Sequence, residues 1–406
     1  MITSAKNWSR SKLPIDSNVE TKVQEILQAI QLNGDLEIDR YSMEFDQQPV
    51  KLIELKAFDD YQLTPELASS IKFAANRIEK FARFQKQGNE SRSFTDEFGT
   101  FGQVILPIER VGAYIPGGRY PLISTALMTL IPAKVAGSPV RIACSPSNHP
   151  AILAAASLAG ATQFIQIGGV QAIGALAFGY QDITPVDIIV GPGNAWVNEA
   201  KKQVQSRVKI DGLAGPSELL AICDGNQPID WLALDALAQA EHDPLACSLI
   251  VSEDLDWLNK MLNFLEEKNE TKKLLQHKQI ELIYAESVEE AIQFSEQYAP
   301  EHLMLCHQST QTQSLNNYGS LFIGSNSAVA LGDYITGPNH TLPTLGYSKQ
   351  GGGLNVNTFL RCLTTQAVNE QGRQALSKAA MSIAQAEGLN FHYESLSIRE
   401  IAAKLD

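Results

Sequence analysis

The sequence predicts an α/β protein with two α/β domains in tandem, and three observations support this. From about residue 101, short apolar runs alternate with Ala-rich segments of helical periodicity. The alternation occurs in two successive series, and it favours a parallel sheet with helices on both faces in each. A chain of 406 residues also exceeds what one ordinary core supports, so two domains are expected.

The first series supplies three strands and the helices between them. Short apolar runs bounded by turn residues are typical of buried strands, and the three are VRIACS (140–145), QFIQIGG (163–169) and DIIVGPG (187–193). The predicted helices are AILAAASLAGA (151–161), QAIGALAFG (171–179) and AWVNEAKKQVQ (195–205). The second series predicts five more strands with helices between them: ELLAIC (218–223), CSLIVS (247–252), IELIYA (280–285), HLMLC (302–306) and SLFIG (320–324).

The flanking segments are predicted to be helical. VETKVQEILQAIQ (19–31) and PELASSIKFAANRIEKFARF (65–84) have apolar residues at 3.6-residue spacing. A Gly-rich loop is expected over 332–358, and the tail, 365–406, is expected to be helical with a short extended piece at its end. The predicted boundaries are 1–100 for an N-terminal helical segment packing on the first α/β domain, 101–216 and 217–347 for the α/β domains, and 348–406 for a C-terminal arm.

Composition limits the compartment and the partners. With 44% hydrophobic and 19% charged residues the chain is globular, and a net charge of -13 without a Lys/Arg cluster argues against a nucleic-acid partner. The N-terminus has no apolar signal-peptide region, and no run approaches the length of a membrane span. Five scattered cysteines without a CxxC pair indicate the reducing cytoplasm, with mostly buried thiols.

Two glycine-bearing turns are candidates for a phosphate site. The GxGxxG fingerprint of dinucleotide-binding domains is absent, but YIPGGRYP (114–121) precedes a long helical stretch and GPGN (191–194) opens a helix. The free N–H groups and partial positive charge of a helix N-terminus suit a pyrophosphate. The alternative is a plain strand–turn–helix connection that requires a positive φ.

The stretch AQAEHDPLA (238–246) contains a candidate for half a metal site. On a helix, Gln239 and His242 lie at i and i+3 on one face, whereas Glu241 points away from them. Two electron-pair donors on one face suit a metal ion. The alternative is a solvated helix face, which is the commoner reason for such a pair.

Three further groups of polar residues could carry chemistry. Glu301 and His302 follow a proline, and His is the usual general base near neutral pH. Neighbours in a regular strand point to opposite faces, so the two share a pocket only if the chain turns at Pro300. The other candidates are Asp333 and His340 on one Gly/Pro-rich loop, and Glu387 and His392 in the tail, whereas His149, His277 and His307 are expected on the surface.

These pieces, taken in order, resemble the histidinol dehydrogenase family. The likeness extends from about residue 20 to 400 and rests on eight segments: VGAYIPGGRYPL, GGVQAIGALAFG, GPGNAWVNEAKKQV, DGLAGPSELL, AQAEHDPLA, APEHL, GDYITGPNHTLPT and AEGLNFH. The resemblance implies two Rossmann-like α/β/α domains in an architecture like that of aldehyde dehydrogenases. It also implies oxidation of L-histidinol to L-histidine through an aldehyde, at the end of histidine biosynthesis, with one Zn²⁺ per subunit and two NAD⁺.

The resemblance also implies a role for each candidate residue. His302 would be the base that takes the hydroxyl proton, and Glu301 would activate the water that adds to the aldehyde. These two and the zinc ligands would contact substrate, together with Ser217, His340 and Glu387. NAD would contact Tyr114, Gln171 and Asn194 in the first α/β domain. The zinc ligands would be Gln239, His242, Asp333 and His392, a mixed O/N set that suits a six-coordinate ion completed by substrate nitrogens.

The same resemblance implies a homodimer with shared active sites. Glu387 and His392 would reach the partner's site across a two-fold axis, with no nucleic-acid or membrane partner.

One segment departs from the family pattern. The stretch SKQGGGLNVNTFLR (348–361) differs from the commoner Ser-rich version and is closer to relatives that oxidise another polyol or a sulfonated alcohol. The alternative function is therefore a paralogous NAD- and zinc-dependent dehydrogenase. A catalytically inactive zinc-binding homologue and a Cys nucleophile are further alternatives, but no proposed site residue is substituted and no Cys lies beside a base in the sequence.

Overall fold

The chain forms two compact units in a computed structural model that describes residues 2–10, 17–117, 121–213, 215–309 and 312–402. Unit 1 comprises Met1–Gln85 and Ile108–Phe359, and unit 2 comprises Lys86–Pro107 and Leu360–Asp406. Residues 118–120 of the predicted YIPGGRYP turn lie outside the described residues, as does residue 214 of DGLAGPSELL.

The first sheet of unit 1 has the strand order of a doubly wound fold. Its order is β2-β7-β6-β5-β8-β9, with β2 antiparallel to β7 and all other pairs parallel. Among the parallel strands the chain starts at β5, moves to one side and then crosses back, which makes a switch point beside β5. The strands are β2 (Lys51–Ile53), β5 (Arg110–Tyr114), β6 (Val140–Ser145), β7 (Gln163–Gln166), β8 (Ile188–Val190) and β9 (Lys209–Ile210).

The second sheet of unit 1 repeats this topology. Its order is β1-β12-β11-β10-β13-β14, and every pair is parallel. The N-terminal strand β1 adds to its edge, so the chain begins in the second sheet. The strands are β1 (Ile2–Ser4), β10 (Glu218–Cys223), β11 (Cys247–Ser252), β12 (Ile280–Tyr284), β13 (His302–Cys306) and β14 (Ser320–Ile323).

Helices of unit 1 connect the strands and cover the sheets. The buried positions of α5 and α6 are mostly Ala, and such small side chains allow close approach to a sheet. Helix α1 packs against α6 and α7. The helices are α1 (Ser17–Asn33), α2 (Asp35–Tyr41), α3 (Pro65–Lys86), α4 (Ile123–Ala136), α5 (Pro150–Leu158), α6 (Gly169–Phe178), α7 (Ala195–Val204), α8 (Ile229–Ala240), α9 (Leu255–Glu266), α10 (Asn269–Gln276), α11 (Val288–Tyr298) and α12 (Val329–Tyr334).

Unit 2 contains an antiparallel sheet that the sequence patterns did not predict. Strands β3 (Arg92–Asp96), β4 (Gly99–Pro107) and β15 (Leu360–Val368) pair in the order β15-β4-β3. Helices α13 (Glu370–Ala386) and α14 (Asn390–Ala402) follow. The helical tail is therefore confirmed from residue 370, but residues 365–368 are strand and the expected extended end is helix as far as residue 402.

The predicted α/β fold class is confirmed in both series. The strands at 140–145, 218–223, 247–252 and 302–306 have the predicted bounds, because parallel strands buried on both faces produce continuous apolar runs. The first hundred residues are only partly helical, since β1, β2 and β3 lie there. No helix among the described residues is long and apolar enough to cross a membrane.

The turn after β8 requires glycine. Gly191 has φ 111°, and a Cβ at this position would lie 2.1 Å from the carbonyl oxygen of Tyr114. We expect Gly191→Ala to lower the free energy of unfolding by about 2 kcal/mol or more, because a strained φ alone costs about 1–3 kcal/mol. Gly212→Ala is the matched control in guanidinium unfolding, since its Cβ meets no atom within 4 Å. Equal effects of the two substitutions would contradict this reading.

Candidate active site

Glu301 and His302 face each other at the start of β13. The distance between His302 Nδ1 and Glu301 Oε2 is 3.5 Å, and both residues are buried. Helix α11 ends at Tyr298, and Ala299 adopts a left-handed conformation with φ 53°. The chain thus turns immediately before the strand, which allows these neighbours to share one pocket.

The main chain of Glu218 holds both side chains. Its N–H donates to Glu301 Oε2 at 2.8 Å, and its carbonyl oxygen accepts from His302 Nδ1 at 3.1 Å. Strands β10 and β13 are parallel neighbours, so their first residues meet at the amino edge of the second sheet. Because Nδ1 bonds to the carbonyl oxygen, Nε2 of His302 is left to face the pocket.

Asp333 and His340 complete this cluster. His302 Nε2 lies 3.7 Å from Asp333 Oδ1, and His340 Nδ1 donates to the Asp333 carbonyl oxygen at 2.8 Å. His340 Nε2 lies 3.4 Å from the hydroxyl of Thr125 in α4, the helix that follows β5. The loop carrying His340 therefore joins the carboxyl side of the first sheet to the amino edge of the second.

The pKa values of the two histidines shift in opposite directions. Burial lowers the pKa of His302, but the carboxylates of Glu301 and Asp333 outweigh burial and raise it to about 9. Burial lowers the pKa of His340 overall, despite the nearby Asp333 carboxylate. The surroundings of His302 thus stabilise its protonated form, whereas those of His340 favour its neutral form.

The Glu218 side chain is a feature that the sequence reading missed. Its carboxylate is buried, accepts from the Leu345 N–H at 3.2 Å and forms an ion pair with Arg10. Burial raises its pKa to about 7, and the charge of Glu301 adds to this effect while Arg10 opposes it. The available signal was an acidic residue beginning an otherwise apolar strand run, ELLAIC.

Gln239 and His242 lie at the end of α8. The helix ends at Ala240, so the expected helical i, i+3 pair is only partly formed, and the His242 N–H bonds to the Gln239 carbonyl at 3.4 Å. Gln239 is 2% exposed and its amide nitrogen has no hydrogen-bond partner, whereas His242 is exposed. A buried amide nitrogen without a hydrogen-bond partner is unusual.

Helix α12, which carries Asp333, contacts α8, which carries Gln239. The Val329 N–H at the start of α12 lies near enough to the Asp235 carboxylate of α8 to lower its pKa against the larger, raising effect of burial. At the other end, burial and then the carboxylates of Asp333 and Glu241 raise the pKa of Tyr334. The helices therefore run in the same direction, with Gln239 and Asp333 each four residues beyond the Asp235–Val329 contact.

These donors fit a divalent cation in part. Gln239, His242 and Asp333 supply oxygen and nitrogen donors from adjoining elements, and rotating the Gln239 amide exchanges its oxygen and nitrogen. Among the described residues no three His, Cys, Asp or Glu side chains gather closely enough to hold a metal ion. Glu387 and His392 are exposed in unit 2, directly after α13 and on α14 respectively.

The residues predicted to contact NAD lie beyond the carboxyl ends of the first sheet. Tyr114 ends β5, and its hydroxyl oxygen accepts from the Gly169 N–H at 3.3 Å. Gln171 donates to Asp46 at 3.1 Å, and Asn194 caps α7 by accepting from the Val197 N–H at 3.1 Å. This edge beside a switch point is where doubly wound folds bind ligands.

A cavity of about 210 Å³ adjoins this edge. Its lining includes Lys201 and Asp211, a buried ion pair whose members also bond to the main chain of Gly191. The cavity is also lined by residues 341–343, which follow His340, and by Gly351 and Gly352. The cavity therefore adjoins both the GPGN turn and the loop that carries His340.

The remaining cysteines and histidines bear on the alternatives. Burial raises the pKa of Cys306 to about 11 and that of Cys247 to about 12, which disfavours thiolate chemistry at either. His307 is buried rather than on the surface as expected, and its Nε2 lies 2.9 Å from Glu253. No apolar pattern could have signalled this, because the burial comes from its partner across the strand ends.

Comparison with known proteins identifies the family. The family profile described as histidinol dehydrogenase matches residues 9–400. A histidinol dehydrogenase of Thermus thermophilus is 40% identical over 404 residues, covering 97% of each chain. The chain belongs to the histidinol dehydrogenase family. Histidinol dehydrogenases are oxidoreductases of histidine biosynthesis, so the chain is an enzyme of that class.

Solved structures agree with this assignment. The crystal structure of histidinol dehydrogenase from Elizabethkingia anophelis matches with a TM-score of 0.89 at 33% identity, covering 98% of this chain and 96% of that chain. A salicylaldehyde dehydrogenase from Pseudomonas putida G7 matches with a TM-score of 0.51 at 11% identity, covering 87% and 85%. The latter likeness shows a shared fold alone.

The pKa of Glu218 makes folding stability depend on pH. The folded chain retains this proton up to about pH 7, whereas the unfolded chain releases it near 4.5. Stability is therefore expected to fall as pH rises through this window, by roughly 3 kcal/mol, and Glu218→Gln should remove that part of the slope. Denaturant unfolding at several pH values measures it, with Glu286→Gln, an exposed carboxylate, as control. A Glu218→Gln slope equal to that of the wild type would refute the assignment.

Proposed function

We propose that the enzyme oxidises L-histidinol to L-histidine in two steps, using Zn²⁺ and two NAD⁺ per turnover. Membership of the histidinol dehydrogenase family supports the substrate class. The observation that carries the proposal is the cluster of Glu301, His302, Asp333 and His340 at the amino edge of the second sheet. It offers an acid–base pair next to carboxylate and imidazole groups.

Gln239, His242 and Asp333 would hold the zinc ion, with His392 supplied by a partner subunit. The support is the buried, unpartnered amide of Gln239 on the helix that adjoins the Asp333 helix. A bound Zn²⁺ supplies a fixed positive centre that anchors and orients the substrate.

His302 acts as the base that removes the hydroxyl proton, and it does so in its neutral form, whose share grows as the pH rises toward its pKa of about 9. Its Nδ1 is engaged by the Glu218 carbonyl, so Nε2 is the atom that faces substrate. Glu301 then activates the water that adds to the aldehyde, and its carboxylate is held in place by the Glu218 N–H. Ser217, His340 and Glu387 contact the substrate, and His340 is fixed by the Asp333 main chain.

NAD⁺ would supply the hydride acceptor for both steps, and the carboxyl edge of the first sheet would bind it. Tyr114 is the last residue of β5, and Gln171 and Asn194 follow β7 and β8 at that edge. The cavity next to Lys201 lies between this edge and the His340 loop, which is where the reacting ends of the two substrates must meet.

A homodimer would complete the site and cover unit 2. Among the described residues of unit 2, Ala384 is the one buried apolar side chain, and Phe391 beside His392 is 84% exposed. Burial of such exposed apolar side chains against a partner subunit would stabilise unit 2. We place the enzyme in the cytoplasm, in keeping with five free cysteines.

The glycines at 351 and 352, which line the cavity, favour a second function, the oxidation of a different alcohol. Side chains at Gly351 and Gly352 would meet no atom within 4 Å, so these glycines leave the cavity wall open without a steric need for glycine. A wider cavity suits a dehydrogenase of the same mechanism that acts on another polyol or a sulfonated alcohol.

The reaction stoichiometry tests the proposal. With L-histidinol, NAD⁺ and metal-replete enzyme, we expect two NADH for each substrate consumed, because both oxidation steps occur in one site. A panel of other alcohols, assayed in parallel, is the comparison. One NADH with free aldehyde would contradict the four-electron reaction, and faster turnover of another alcohol would favour the second function.

Two substitutions separate the base from the ligands. His302→Asn should lower kcat by about two to four decades while zinc content is retained, because the general base is lost. His242→Asn should lower zinc content measured by elemental analysis. Loss of zinc in the His302 variant would mean that base and ligand had been confused, and unchanged metal in the His242 variant would remove it from the ligand set.

A further inference from the structure

The N-terminal segment places the Arg10 guanidinium next to Glu218, the residue whose main chain binds Glu301 and His302. Arg10 donates to the Glu218 carboxylate through one guanidinium nitrogen and to the Tyr298 carbonyl oxygen through another, at 2.6 Å. Its guanidinium carbon lies 3.8 Å from the centroid of the Tyr298 ring. The forked donor set and planar stacking use features that lysine lacks.

The segment that precedes Arg10 is anchored along the second sheet. Strand β1 pairs with β12, and the Trp8 ring contacts Phe294 and Tyr298 with centroids 5.2 and 5.5 Å apart. Trp8 also donates to Glu281 at 3.2 Å. These contacts fix the direction from which Arg10 approaches Glu218.

Glu218 needs such a partner because of its surroundings. Its side chain is 5% exposed, and burying an unpaired carboxylate is unfavourable. The charged and titratable groups that face it are Arg10 from the N-terminal segment, Glu301 before β13, Tyr298 at the end of α11 and Cys247 at the start of β11. Arg10 is the cation in this set.

We propose that Arg10 is a positioning residue for the reaction: by pairing with the Glu218 carboxylate it fixes the first residue of β10, whose main-chain N–H and C=O hold Glu301 and His302. Arg10 contacts neither catalytic side chain, so it acts through Glu218. The inference rests on the proposed function, because it assigns the catalytic work to Glu301 and His302.

The consequence of losing Arg10 follows from the geometry. An ionised Glu218 without its cation would repel Glu301 and turn toward water, and the main chain of Glu218, which holds both catalytic groups, would move with it. Loss of a supporting partner behind a functional group typically costs about 10–100-fold in activity. We expect a loss of this size in kcat for Arg10→Met, with the KM values little changed.

The test compares four proteins: the wild type, Arg10→Met, Arg10→Met/Glu218→Gln and Lys6→Met. Lys6 lies in the same segment and forms an exposed ion pair with Glu286, so its substitution removes one positive charge away from the site. The double variant removes both charges and keeps an acceptor for the Leu345 N–H. Steady-state kcat and KM are measured from pH 6 to 9 with metal-replete enzyme.

We expect the kcat deficit of Arg10→Met to grow with pH, because Glu218 becomes a buried unpaired anion as it loses its proton. The double variant should recover most of the activity, with a ratio to wild type that does not change with pH, and Lys6→Met should match the wild type. A deficit independent of pH, or one that the double variant does not relieve, would overturn the proposal. If Arg10→Met does not fold, a folded double variant supports the pairing, and an unfolded double variant contradicts it.

Hydrogen–deuterium exchange provides a readout that does not depend on substrate. The amides at the starts of β10 and β13 should exchange faster in Arg10→Met than in the wild type or Lys6→Met, and the double variant should restore protection. Absence of NADH formation from any alcohol by the wild type would defeat the proposed function alone. Unchanged exchange in Arg10→Met would then still overturn the role of Arg10.

Discussion

The main chain of one residue, Glu218, holds the centre of the candidate site. Its N–H donates to Glu301 and its carbonyl oxygen accepts from His302, so the two buried side chains share one rigid main-chain anchor. Strand ends fix side-chain position better than loops do, because the ladder to the neighbouring strand restrains them. The orientation of both side chains therefore depends on the register between β10 and β13, in which Leu219 pairs with His302.

The two sheets of unit 1 present opposite edges to the candidate site. The first sheet presents the carboxyl ends of its strands, as expected of a doubly wound fold, whereas the second presents its amino edge. The segment 339–348 connects them: Asn339 bonds to α4, Thr344 to Gly215 and Ser348 to Ala299. The loop thus links the edge proposed to bind NAD⁺ with the edge that carries Glu301 and His302.

Sequence patterns predicted most of the parallel strands but missed β5, which lies inside the first sheet, and the edge strands β1, β2 and β9. Runs such as ELLAIC are continuous because both sheet faces are covered, so periodicity located them almost to the residue. Strand β15 escaped because its residues are mostly exposed and lack an apolar run. Motif likeness brought together Glu301, His302, Asp333 and His340, which the structure places in one cluster. The roles of Glu218 and Arg10 were not predicted, because the two residues are 208 positions apart and no local pattern encodes a pairing over that separation.

The sheet of unit 2 also affects the order in which the chain folds during synthesis. Strand β4 ends at Pro107, and its partner β15 begins at Leu360. A ribosome that adds ~5–20 residues per second delivers the second strand on the order of tens of seconds after the first. During that interval β4 and β3 form only a hairpin, which is marginally stable by itself. The polypeptide between them can fold as it emerges, so the sheet of unit 2 closes only after the strands of both sheets of unit 1 have been synthesised.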